Sequence, residues 1–293
     1  MDREQELGLV RRAYAREIMA TAGVSDPRVE TAFAEVRRED FLDPGPWLVI
    51  GWQSNWGDYV RTPSADPAFL YLDHVVGILP GRHLNNGQPS LHAKLIAEAS
   101  PQAGEHVLHV GTGTGYYTAI MAHLVGPSGR VTGIELDPGL AERARDNLSS
   151  YPDVDVVCGN GAVVPFETAD VIYVNAGATR PADAWLDGLS EGGRLILPLT
   201  SDKGFGENPE NISIQRRGAV FRIERCRNEF LAKWISAVAI FPCEGARDAQ
   251  SERALAAAFE KSGWDQVTRL YRHGDVPEEQ CWLKGPDWCL AYA

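Results

Sequence analysis

Apolar residues recur at helical spacing from the start of the chain. Leu7, Val10 and Tyr14 form one such set, which predicts a helix ending near Gly23. Ser25-Asp26-Pro27 predicts the cap of a second helix, with Val29, Ala32, Phe33 and Val36 on one face and a stop at Asp43-Pro44-Gly45-Pro46. Residues 44–85 then read as irregular. Trp47, Trp52, Trp56, Tyr59, Phe69 and Tyr71 recur there among Gly, Pro, Asn and Asp. Such a stretch is too apolar for a floppy linker. It reads as a structured excursion, either a buried cover over the core or a lid or acceptor wall.

From residue 89 the pattern changes. Pro89 opens a helix over 89–99, with Leu91, Leu95 and Ile96 spaced for burial, and Gly104 breaks the chain. Strands are predicted at 106–110, 129–135, 154–158, 169–175 and 193–199, and helices at 117–125, 138–148 and 182–189. This alternation predicts an α/β fold with a mostly parallel sheet and helices on both faces. Beyond it, 212–225 reads as a two-stranded ribbon turning at Gly218 and 234–241 as a strand. Residues 248–260 read as an alanine-rich helix, and 267–271 and 288–292 as short strands. The expected division is a helical region 1–103 containing the aromatic insert, a core 104–245, and an extension 246–293. The extension is too short to hold much core alone, so it is expected to pack on the main sheet.

Composition narrows the function. The chain has 293 residues, 44% of them hydrophobic and 23% charged, which excludes a disordered tail, a fibre and a coiled coil. A net charge of -12 repels phosphate backbones, so no nucleic-acid partner is expected. No apolar run approaches the roughly 18 residues of a spanning helix, and Met1-Asp2-Arg3-Glu4-Gln5-Glu6 is too acidic for a secretory leader. The expectation is a cytoplasmic protein with no membrane partner, a monomer or small homo-oligomer. The 5 cysteines include no CxxC pair, which fits reduced thiols better than disulfides or zinc. Glycine (29) and tryptophan (8) are the outliers.

The sharpest motif is Gly111-Thr112-Gly113-Thr114-Gly115-Tyr116, between a strand and a helix. Glycines there let the backbone turn tightly and approach a ligand over the positive end of the helix. A dinucleotide fingerprint reads G-x-G-x-x-G, but its sixth position here is the bulky Tyr116; a G-x-x-x-x-G-K-[ST] phosphate loop is absent. The spacing suits a ligand whose amino-acid end lies at the loop and whose ribose reaches the next strand. Glu135, with Leu136 after it, stands at that strand's end, where a carboxylate accepts ribose hydroxyls. These features favour S-adenosylmethionine over NAD or a purely structural turn. Asn160 and Gly161 lie in a loop at the same sheet edge; Asn160 either bonds the adenine edge or makes a turn. Asn175 ends the fourth strand, as a site residue or a local cap. No metal is expected: His106 and His109 read as sharing a strand face, but no third ligand is evident.

These residues carry a resemblance. VETAFAEVRREDF at 29–41, GQPSLHA at 87–93, VLHVGTGTGY at 107–116, VTGIELD at 131–137, GNG at 159–161 and GGRLILP at 192–198 together resemble the protein-L-isoaspartate O-methyltransferases, over roughly 28–245. The resemblance implies a Rossmann-like class I methyltransferase fold, with a seven-stranded sheet and a reversed C-terminal hairpin. It also implies methyl transfer from S-adenosylmethionine to a carboxylate of a protein or peptide. In the family the acceptor is an isoaspartyl or D-aspartyl residue, and the modification is a protein repair. Cofactor-binding residues are expected at Gly111, Thr112, Gly113, Gly115, Tyr116, Glu135, Leu136, Asn160 and Gly161.

Three departures stand out. The hydroxyl residue that the family has before its Q-P or A-P step is Gly87 here, with Asn86, Gln88 or Ser90 as substitutes. The aspartate of the family's GDG is Asn160. The aromatic insert and the extension past 245 are additions. A carboxylate acceptor is ionised at neutral pH and needs no base, so the expected catalytic work is alignment by Asn86, Gln88, Ser90, His92 and Asn175. His92 would be the base for a hydroxyl or nitrogen acceptor, or else an ordinary helix histidine. His74 and His83 are candidates for an acceptor pocket. The alternative functions are a methyltransferase for another peptide or small molecule, and a non-catalytic protein of the same fold.

Overall fold

The computed structural model describes residues 2–51, 58–82, 84–202, 214–240, 242–243, 245–273 and 276–292. Trp52, Trp56 and His83 lie outside the described residues. The elements are, in chain order, α1 (Arg3–Ala22), α2 (Pro27–Glu35), β1 (Leu48–Ile50), β2 (Val60–Arg61), β3 (Val75–Leu79), β4 (Leu84–Asn85) and α3 (Pro89–Ala99). There follow β5 (His106–Val110), α4 (Tyr116–Val125), β6 (Arg130–Glu135), α5 (Pro138–Asn147), β7 (Val154–Cys158), β8 (Ala169–Val174), α6 (Asp183–Asp187) and β9 (Leu189–Thr200). The chain continues with β10 (Gly218–Cys226), β11 (Glu229–Ala237), α7 (Ala249–Glu260), β12 (Arg269–Arg272), β13 (Cys281–Lys284) and β14 (Trp288–Ala291). The strands expected of the core are β5–β11, and β10–β11 is the reversed hairpin. No helix among the described residues is long and apolar enough to cross a membrane.

The chain divides into two compact units, Met1–Glu105 with Thr112–Cys158, and His106–Gly111 with Gly159–Ala293. In the first unit the helices start where the sequence caps them. Asp2 and Gln5 form a capping box on α1, Gly23 closes it at φ 66°, and Asp26 with Pro27 opens α2. Tyr14, Phe33, Tyr116 and Tyr117 pack as an aromatic core among α1, α2 and α4, with Tyr14 and Tyr71 at 5.6 Å. Strands β6 and β7 pair in parallel.

The stretch read as irregular contains a sheet. Strands β2-β1-β3-β4 pair antiparallel in that order over a small core of Trp47, Val49, Leu70 and Val76. Its strands are two to five residues long, and the β3–β4 register breaks between Gly77 and Leu79, so no alternation survives in the sequence.

In the second unit β5, β8 and β9 pair in parallel, and the sheet then runs antiparallel through β10, β11, β12, β14 and β13. The turn expected at Gly218 is instead the start of β10, and the hairpin turns at Arg227 and Asn228. Gly218 is held tight in the sheet: a Cβ there would lie 2.7 Å from Thr200 Cγ2 and 2.8 Å from the Leu199 carbonyl oxygen. Strands β12, β14 and β13 extend the sheet beyond β11, and Trp282 buries its ring against Phe221 and Phe259.

Candidate active site

In the first unit the glycine loop is wound by its own sequence. Gly113 and Gly115 have φ 59° and 100°, a left-handed conformation that side chains disfavour. A Cβ on Gly115 would lie 2.8 Å from Leu148 Cδ1, whereas one on Gly113 would meet only Ile78 Cδ1, at 3.6 Å. Gly113 therefore has open space beside its Cα among the described residues. Thr112 is buried, and Gly133 leaves it room, since a Cβ there would lie 2.7 Å from the Thr112 hydroxyl.

Glu135 ties this loop to the end of β6. Its Oε2 accepts from the Gly113 N–H at 2.7 Å, and its Oε1 from the Asp137 N–H at 3.0 Å. Burial raises the Glu135 pKa, and the backbone donors oppose that shift. A carboxylate with one donor on each oxygen keeps lone pairs for two more. Leu136 is 40% exposed, an apolar surface immediately beyond this carboxylate. Asp137 caps α5 through Leu140 N–H and pairs with Arg82 of the insert.

Tyr116 turns the other way. Its ring lies in the aromatic core, 5.8 Å from Phe41 and 6.3 Å from Phe33, under the Arg38 guanidinium, so only its backbone faces the loop. Arg38 itself is fully buried. It donates to the carbonyls of Leu70 and His74 at 2.7 Å each and to Asn86 Oδ1 at 3.1 Å.

The candidates near the start of α3 are held by this neighbourhood. Asn86 Oδ1 also accepts from Val76 N–H at 2.9 Å, while its buried Nδ2 has no partner among the described residues. Asp73 accepts from Gln88 Nε2 (2.8 Å), Ser90 N–H (2.8 Å) and Ser90 Oγ (2.6 Å). It thus caps α3 from a distant part of the chain. His92 is buried and stacks on Tyr117 at 3.7 Å. Gly87 has φ 73°, and a Cβ there would lie 2.2 Å from His92 Nε2. The imidazole occupies the space a side chain at 87 would need. His74 packs against Gly51, and its carbonyl serves Arg38.

In the second unit Asn175 donates from its backbone to the Val110 carbonyl at 2.8 Å and from Nδ2 to the Gly111 carbonyl at 3.4 Å. Gly111 has φ 81°, and a Cβ there would lie 3.1 Å from the Asn175 carbonyl oxygen. Asn160 forms a turn, accepting from Ala162 N–H at 2.9 Å, and its amide abuts Gly245. Gly161 is required for close packing, since a Cβ would lie 2.4 Å from Val110 Cγ1. Arg247 donates to the carbonyls of Gly177 and Thr200 and to Glu252, fastening the loop after β8 to the end of β9.

His106 and His109 do not share a face: residues three apart on a strand point to opposite sides. His106 Nδ1 meets the Thr168 carbonyl at 2.9 Å, and His109 is fully buried against Tyr173, with its pKa pushed down to about 3 by burial. No group of three or more His, Cys, Asp or Glu among the described residues is placed to hold a metal ion. Arg38, Asp73 and Arg247 were missed as supports of the site. Arg38 lies within the 29–41 motif, but Asp73 and Arg247 carry no local signal.

A family model, "Protein-L-isoaspartate(D-aspartate) O-methyltransferase (PCMT)", matches residues 15–220. The chain belongs to this family. It is 41% identical over 121 residues to a protein-L-isoaspartate O-methyltransferase of Ignicoccus hospitalis, covering 40% of this chain and 57% of that one. It is 31% identical over 214 residues to one from Thermotoga maritima, covering 71% of this chain and 58% of that one. The chain thus spans under two thirds of the length of both relatives. A Plasmodium falciparum structure described as a putative protein-L-isoaspartate O-methyltransferase in complex with S-adenosyl-L-homocysteine superimposes with a TM-score of 0.60 at 18% identity, over 80% of this chain and 98% of that one. That likeness establishes the α/β methyltransferase fold.

Proposed function

We propose that this protein is an S-adenosylmethionine-dependent methyltransferase that esterifies a carboxylate on a protein or peptide, with an isoaspartyl residue as the first acceptor to test. The observation that carries the reading is the Glu135 carboxylate bound to the Gly113 N–H, at the tip of a loop whose alternate glycines are left-handed. Gly111, Thr112, Gly113, Gly115 and the backbone of Tyr116 would take the amino-acid end of the cofactor. Glu135 would accept the ribose hydroxyls, Leu136 would cover the adenine face, and Asn160 and Gly161 would border its edge. The cofactor-binding core is 104–245, flanked by 1–103 and 246–293.

When bound, the sulfonium supplies an electrophilic methyl group. The chain's own work is to align an acceptor and exclude water, because an ionised carboxylate needs no general base. Asn86 is the strongest donor candidate: its Oδ1 is fixed by Arg38 and Val76, and its Nδ2 is uncommitted. Gln88 and Ser90 are oriented by Asp73, and Asn175 by Gly111. His92 is packed as a structural ring rather than as a base.

One observation favours a second reading. Gly87 supplies no hydroxyl, and His92 fills the space in which one would stand. The same chemistry on another peptide or small-molecule carboxylate accommodates that difference. Incubation with methyl-labelled S-adenosylmethionine and an isoaspartyl peptide separates the two. Base-labile label on the isoaspartyl peptide, and none on its aspartyl twin, supports the first. No label despite cofactor binding rejects isoaspartate and leaves the second.

A further inference from the structure

The second unit contains a cleft of about 490 Å³ between the tip of the β10–β11 hairpin, β12 and the end of α6. Its apolar lining is the half-buried ring of Phe230, beside Leu186 and Leu270, which are almost fully buried; Phe230 and Leu270 pair across β11 and β12. Arginines wall it. Arg272 is neutralised by Asp183 and Asp187, and Arg269 by Glu229. Arg225 has only carbonyl partners, Leu189 at 2.7 Å and Asp187 at 3.4 Å, and Arg227 has no side-chain partner among the described residues. Among the described residues neither of these two guanidinium groups is paired with a carboxylate.

Arg227 stands in an unusual place. It is the first residue of a two-residue hairpin turn, at φ 57°, where glycine is favoured. Its N–H donates to both carboxylate oxygens of Glu191, at 2.9 and 2.8 Å, which holds the turn. His273, also at the cleft, has φ 51°. Two side chains that line the cleft are thus displayed from left-handed backbone that costs conformational energy.

We propose that this cleft docks an extended peptide segment in which carboxylates alternate with apolar side chains. Guanidinium forks match carboxylates, and the partly exposed Phe230 ring matches an apolar neighbour. A nucleic acid is disfavoured by the net charge of -12. The cleft lies at the β9 start, paired with the beginning of β8, whereas Asn175 follows the β8 end. A strand of this length separates them by about 20 Å, so about six extended residues bridge the distance. Use of the cleft by a methyl-accepting polypeptide rests on the reading above; peptide binding itself does not.

The test is fluorescence anisotropy with the full chain and a labelled Leu-Glu-Leu-Glu-Leu peptide, beside its Gln twin and a single-stranded RNA. The wild type is expected to bind the Glu peptide about tenfold tighter than the Gln peptide. Arg227→Gly suits the turn and is expected to keep or raise the thermal midpoint while erasing that preference. Methyl transfer to a short acceptor lacking the acidic tract should be unchanged. Equal binding of the two peptides, a preference that survives Arg227→Gly, or tighter binding of the RNA overturns the proposal.

Discussion

The Gly113 N–H donates to Glu135 Oε2 at 2.7 Å, so the tip of the glycine loop and the end of β6 form one rigid corner. Because burial raises the Glu135 pKa above its ordinary 4.5, acid reaches this corner early. In the ligand-free protein the raised pKa contributes stability below 4.5 that is lost as pH rises through the folded value. Cofactor affinity is expected to run the opposite way, because protonation would remove the acceptor proposed for the ribose. Titration of S-adenosylhomocysteine across pH 4.5–8 (on the order of the carboxylate range) should show weakening on the acid side. Glu135→Gln should flatten that dependence; an equally steep curve in the variant assigns it elsewhere.

Gly87→Ser is expected to destabilise rather than restore a family-like site. The backbone is left-handed there, at φ 73°, and the new Cβ would lie 2.2 Å from His92 Nε2. The expected loss is at least about 2 kcal/mol, from backbone strain and overpacking. His92→Ala should recover part of it, so urea unfolding of both single variants and the double variant should reveal coupling. Additive effects would mean that the imidazole is not the obstacle.

Asp73→Ala removes the cap of α3 and frees Gln88 and Ser90. A loss of about 1–2 kcal/mol is expected by chemical denaturation. Asp73→Asn should retain a share of it, as amide oxygens also cap helices.

Arg247→Ala should cost about 2 kcal/mol, because it strips Glu252 of a half-buried partner and frees the carbonyls of Gly177 and Thr200. Arg247→Lys should recover only part, since an ammonium cannot reproduce the guanidinium fork. Full recovery by lysine would reduce the cluster to a simple charge effect.

The sequence made the α/β core legible because its signals are local. Strands β5 and β7 and helix α3 fall on their predicted spans, and Pro89, Asp137 and Gly115 mark helix starts. The loop and the carboxylate that meet in the Gly113–Glu135 hydrogen bond were legible as motifs for the same reason: both belong to one strand–helix–strand stretch. What stayed hidden is long-range. The small insert sheet has strands too short to show a period. Gly218 looked like a turn, yet it is a glycine forced by Thr200 and Leu199 across the sheet. Asp73 caps a helix 17 positions away, and Arg247 reaches back 70 positions to Gly177. The loss of the hydroxyl at Gly87 became interpretable only with the His92 ring in view.

Glu135 and the glycine loop are proposed to hold S-adenosylmethionine. Calorimetric titration of S-adenosylhomocysteine into wild-type protein and Glu135→Ala tests it most directly. One site is expected in the wild type and a weakening of about 1–3 kcal/mol in the variant, from loss of a charge-assisted ribose contact. No binding to the wild type, or an unchanged dissociation constant in the variant, would contradict it.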